Sequence, residues 1–165
     1  MPAVARLFPA WFVGCETAVA GMSTLVIGYG NPLRGDDGFG WHVAERLRSV
    51  AVHSHIQILT LHQLTPELME PISRADRVIF IDSAAGPVPG EIQERTVEPQ
   101  PAYAVFTHHA PPAALLAGAL ALYGRAPQAI MLSVTGADFS LSDVLSPVVS
   151  ARVDEVIEIA LRLMG

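Results

Sequence analysis

Lysine is absent from this chain: all ten basic residues are arginine, set against sixteen acids for a net charge of −6. No run of like charge occurs. A basic stripe that could track a phosphate backbone is therefore missing, which argues against a nucleic-acid partner. Cysteine is reduced to one, Cys15. That excludes an internal disulfide and any zinc site built on several thiolates, and it suits a reducing cytoplasm. No apolar run is long enough and free enough of charge to span a bilayer. A nucleophile elbow, G-x-S-x-G, is missing around Ser83 and Ser133, so a serine-type triad is not expected.

What the chain does have is apolar content, 51% over 165 residues. That is enough for one domain with a substantial core. The opening stretch MPAVARLFPAWFVGCETAVAGM loosely resembles a signal peptide, but Pro9, Glu16 and a single early arginine spoil the pattern. Residues 1–21 are expected to be an upstream extension outside the fold, with the domain covering 22–165.

From Thr24 onward strands and helices alternate. TLVIGY (24–29), HIQILT (55–60), RVIFID (77–82) and AIMLSV (129–134) are short, β-branched apolar runs and predict buried strands. GEIQERTVE (90–98) alternates and predicts an exposed edge strand. Helical spacing predicts a first helix through FGWHVAERLRSV (39–50). A second is capped by Thr65 with Pro66 in its first turn, and a third spans 111–124. The last is opened by Ser146 and Pro147, with Val149, Val153, Val156, Ile157, Ala160 and Leu163 on its apolar side. The alternation predicts an α/β three-layer sandwich around a mostly parallel sheet of about five strands.

In such folds a ligand crevice forms at the carboxyl ends of the strands. Asn31, Asp36 and Asp37 follow the first strand, His62 the second, and Asp82 closes the third. His108 and His109 precede the third helix, and Thr135-Gly136-Ala137-Asp138 follows the last strand. The glycine-rich stretch GYGNPLRGDDGFG invites comparison with a dinucleotide loop. Leu33 stands where the third glycine belongs, and two aspartates would repel a pyrophosphate. A cation suits them better. One of the pair is expected to cap the following helix, leaving the other to face the crevice, and spacing alone does not say which. Pro111 and Pro112 hold a histidine close to a helix N-terminus, where the neutral, metal-binding imidazole is favoured. Two carboxylates and an imidazole make a mixed oxygen and nitrogen site for a borderline ion such as nickel or zinc. His42 and His62 are read as surface or packing residues.

Three blocks, TLVIGYGNPLRGDDGFGWHVAERL, VIFIDSA and THHAPPAALLAGAL, resemble the maturation endopeptidases of [NiFe] hydrogenases. The first block carries the most specific pattern, and LSVTGADFSLSDVLSPVV is similar to the family's ending. HQLTPEL (62–68) is similar to the subgroup serving cytoplasmic bidirectional hydrogenases.

The resemblance implies a phosphorylase/hydrolase-like fold. It also implies removal of a C-terminal extension from the hydrogenase large-subunit precursor after nickel insertion. Carried over residue by residue, the family's metal-binding and catalytic positions fall on Asp37, Asp82 and His108, with His109 one position away. The nickel belongs to the substrate, and no tightly bound metal or other cofactor is expected in the free protein. The partner is the precursor; nucleic acid and membrane are not expected, and the protein is expected to be a cytoplasmic monomer. The rival readings are a peptidyl-tRNA hydrolase, which shares the GNP turn, and a non-catalytic nickel-dependent docking module.

Overall fold

A computed structural model describes residues 22–51, 53–101 and 110–165. The expected extension 1–21 and the histidine pair His108–His109 lie outside the described residues.

Five strands form one sheet in the order β2-β1-β3-β5-β4. They are β1 Thr24–Tyr29, β2 Ile56–Leu61, β3 Arg77–Ala84, β4 Ile92–Thr96 and β5 Gln128–Thr135. The first three and β5 run parallel, and β4 pairs antiparallel with β5 at the edge. Exposed Gln93, Glu94 and Arg95 on β4 match the alternating, charged sequence that marked it as an edge.

Helices cover both faces, as the unbroken apolar strands require. On one side Leu25, Ile27, Val78, Phe80 and Met131 meet α2 (Met69–Arg74) and α3 (Pro112–Tyr123) through Met69, Ile72, Leu115 and Leu116. On the other, Val26, Ile79, Ile81, Leu132 and Val134 meet α1 (Phe39–Val50) and α5 (Val153–Met164). Successive strand residues thus divide between two cores, which is the period-two rule made visible. Among the described residues no helix is long and apolar enough to cross a membrane.

Three local expectations are corrected. The second helix opens as a 3-10 turn, Pro66–Leu68, with Thr65 extended and making no side-chain cap bond. The last helix is split into α4 (Pro147–Ser150) and α5, because Ala151 and Arg152 take ψ of −14° and −10° and tighten the turn between them. Neither aspartate caps the helix that follows it: the 3-10 turn Gly35–Gly38 and α1 have no side-chain cap bond.

Close packing of α1 on the sheet comes from two glycines. A Cβ on Gly28 would lie 2.1 Å from the Gly40 carbonyl oxygen, and one on Gly40 would lie 2.0 Å from that of Ile81. Leu33 at the third position of the dinucleotide pattern is therefore no obstacle to helix–strand contact, since Gly40 takes over that role.

Candidate functional site

The sheet order reverses between β1 and β3: from β1 the chain passes to β2 on one side and to β3 on the other. Beyond the carboxyl ends of these strands lies a cleft of about 410 Å³. Topology alone places a crevice there. Asp37 and Asp82 both line it. Asp37 arrives from the glycine turn, where Gly30, at φ 132°, brings the chain under the Asp37 carbonyl. Its carboxylate is steadied by the Asn31 backbone N–H at 3.0 Å. Asp82 sits on β3, which continues two residues past it to Ala84, so the strand holds its backbone. The Ser83 N–H donates to it at 2.7 Å.

Burial raises the Asp82 carboxyl to about 7, and the charge of Asp37 pushes the same way; the Ser83 N–H and the Tyr29 hydroxyl pull against them. Tyr29, at the end of β1, is itself held above its usual range by burial first and then by the Asp82 charge. A cation placed in the cleft would favour the charged form of Asp82 against this burial. Without one, Asp82 keeps or yields a proton near neutral pH, the range in which a general acid or base is effective.

The companion acid has a different task. Asp36 is fully buried. Its carboxylate accepts from the N–H groups of Ala137 (2.7 Å), Asp138 (2.9 Å) and Ser146 (2.7 Å), and from the Ser146 hydroxyl (2.8 Å). Burial works to raise its pKa, but these bonds outweigh it and the carboxyl is held below its ordinary value. Thr135 is buried and Asp138 is exposed, its carboxylate taking the Ser140 N–H. That segment serves the clamp and does not line the cleft. Asn31 shapes the turn, accepting the Leu33 N–H on its side chain.

His62 does line the cleft, where packing or plain exposure was expected. The register Tyr29–Leu61 sets the end of β2 level with that of β1, so the next residue reaches the rim. His42 stays off the cleft on α1, its Nε2 buried without a partner among the described residues and its pKa lowered by burial. Tyr29, Gln63 and Leu64 complete the lining together with Ala110, Pro111 and Pro112. Sequence reasoning passed over Tyr29; its place at a strand's carboxyl end, one residue before a turn glycine, was the available signal. Among the described residues no group of three or more His, Cys, Asp or Glu gathers in a metal-holding cluster. The expected third ligand, His108 or His109, would come from the segment leading to Ala110.

No protein-family model matches the chain. A protein named as a hydrogenase maturation protease in Methanocaldococcus jannaschii is 27% identical over 146 residues, 83% of this chain and 93% of that relative. The hydrogenase maturating endopeptidase HybD of Escherichia coli superposes with a TM-score of 0.70 at 25% identity, covering 87% of this chain and 94% of its own. The [NiFe] hydrogenase maturation protease HycI of Thermococcus kodakarensis has the same fold, with a TM-score of 0.72 at 23% identity over 87% and 92% of the two chains. Sheet order and relatives agree on the class: the chain has the α/β fold of these peptidases. More particularly, it is a relative of the hydrogenase maturation proteases, the kinship its glycine-rich block carries.

Proposed function

We propose that this protein is a cytoplasmic endopeptidase that removes the C-terminal extension of a [NiFe] hydrogenase large-subunit precursor once nickel has been inserted. The observation that carries the reading is the meeting of Asp37 and Asp82 in one cleft at the sheet's reversal point. In this reading the precursor's tail enters the cleft, and the nickel it carries is met by Asp37, Asp82 and His108. Three protein ligands leave coordination positions for the substrate's own groups. A water beside Asp37 passes a proton to that carboxylate as it attacks the scissile carbonyl, and the C–N bond then breaks as the leaving amine takes up the proton, while the substrate's metal holds the peptide in place. Burial first, and the Asp37 charge after it, press Asp82 toward its neutral form, and a cation in the cleft would offset both, which supports coupling between nickel loading and cleavage. The working unit is a monomer with the precursor as its partner.

The test is incubation of the protein with nickel-loaded and nickel-free precursor, read by mass spectrometry. Loss of a short C-terminal peptide only from the loaded form is expected, and Asp37→Ala should abolish it. Cutting by Asp37→Ala at the normal rate would sink the mechanism. Binding of the loaded precursor without shortening would make the protein a docking module instead.

A further inference from the structure

The loop from Ala137 to Ser146 is pinned to the glycine turn more firmly than its exposed position requires. The buried Asp36 carboxylate takes four bonds from its two ends. In addition, the Asp36 N–H donates to the Asp138 carbonyl at 2.8 Å, the Gly35 N–H to Ser142 at 2.8 Å, and the Ser142 N–H to Leu33 at 3.1 Å. Arg34 and Ser142 form a parallel bridge, which sets Leu33 beside Leu141. A small turn held by the Ser142 hydroxyl then presents Val144.

What this rigid shelf offers is apolar. Leu33 is 57% exposed, Leu141 89% and Val144 66%. Single exposed leucines are ordinary, but three apolar side chains held on segments pinned to one another are the kind of surface that suits a partner. A segment already ordered loses little entropy when a partner covers it. The shelf is also continuous with the cleft, because one loop builds both. Leu33 lies on its outer side, and Asp37, whose N–H donates to the Arg34 carbonyl, lies on its inner side.

We infer that this shelf docks the folded body of the same precursor whose tail occupies the cleft, an inference that rests on the function proposed above. A cleft of about 410 Å³ has the size of a small-ligand pocket and holds only a short length of chain. The folded part of such a substrate therefore lies over the surface around the cleft, and the shelf is the apolar, rigid part of that surrounding. Its chemistry selects an apolar patch on the precursor close to the root of the tail.

The experiment compares Leu141→Asp, Leu33→Asp and the conservative Leu141→Met with the wild-type chain. Cleavage of nickel-loaded precursor is followed over a range of precursor concentrations, with thermal melts to verify folding. Each aspartate variant should melt like wild type and lose at least tenfold in kcat/KM, carried by KM with kcat unchanged, while Leu141→Met stays near wild type. Wild-type kcat/KM in both aspartate variants, with Asp37→Ala inactive alongside, would overturn the shelf and leave the peptidase reading standing. Failure of the wild-type chain to bind or cut the precursor would remove both. If sedimentation shows the variants breaking a dimer while cleavage is unchanged, the occupant is a second copy and the inference is wrong.

Discussion

Asp36 and Asp37 are neighbours with the same side chain and opposite tasks. Each of the three N–H groups and the hydroxyl that Asp36 satisfies makes a charge-assisted bond in a buried place. Removing the carboxylate leaves these donors without a partner, at about 1–3 kcal/mol for each one that water does not reach. Asp36→Ala is expected to lower stability by about 3 kcal/mol, roughly 6–12 °C in melting temperature for a domain of this size. Asp37 accepts a single N–H from Asn31, so Asp37→Ala should cost about 1 kcal/mol while ending cleavage. Thermal melts and a cleavage assay on the two variants separate the tasks. A larger stability loss in Asp37→Ala would reverse the assignment. The sequence could not decide which acid turns inward, because the donors that fix Asp36 come from residues 101 to 110 positions further along the chain. Local spacing holds no record of them, and the resemblance supplied the choice instead.

Elements were far more legible, since their signals are local. The β-branched runs became strands nearly residue for residue, and the charged alternation of β4 identified its edge. Boundaries that depend on backbone fine structure were less so: the 3-10 opening before α2 and the break between α4 and α5 follow from turn geometry that side-chain pattern does not encode. The crossing of α1 over the sheet was half-visible. The glycines were plain, but which one supplies the close approach depends on how the helix lies across the strands. At Gly40 a Cβ would meet the Ile81 carbonyl oxygen at 2.0 Å and that of Tyr29 at 2.6 Å, both backbone atoms that cannot swing aside. Gly40→Ala therefore has to lift α1 off the sheet, costing about 1–3 kcal/mol. Tyr29 lines the cleft and Ile81 directly precedes Asp82, so the same displacement reaches the site. The variant is expected to fold with a lowered melting temperature and to lose a larger share of its activity than of its stability. Full activity at wild-type stability would mean the helix does not sit where the glycines place it.

At the scale of the whole molecule, the site opposes the fold in a way that pH exposes. Asp82 in the folded protein keeps its proton up to about 7, whereas an unfolded aspartate releases it near about 4. Between those values the folded state binds more protons than the unfolded one. Stability therefore falls as pH rises through this window, and the full loss is reached above the folded value. Asp36 acts in the opposite sense at lower pH. Its carboxyl lies below the ordinary value, so its contribution is present above that value and is lost only as pH falls through the lowered one. Titrations elsewhere on the chain affect wild type and Asp82→Asn alike, so the difference between the two isolates the cleft. For metal-free protein, melting temperatures of the two should come close together near about pH 4 and diverge upward, with Asp82→Asn the more stable by several degrees at about pH 8. Under the proposed function the same variant should fail to cut the precursor, since an amide cannot supply the second charge that this reading assigns to the substrate's cation. A constant gap between the two proteins across this range would show that Asp82 ionises at its ordinary pH in the folded chain, and that its burial in the cleft does not hold the proton.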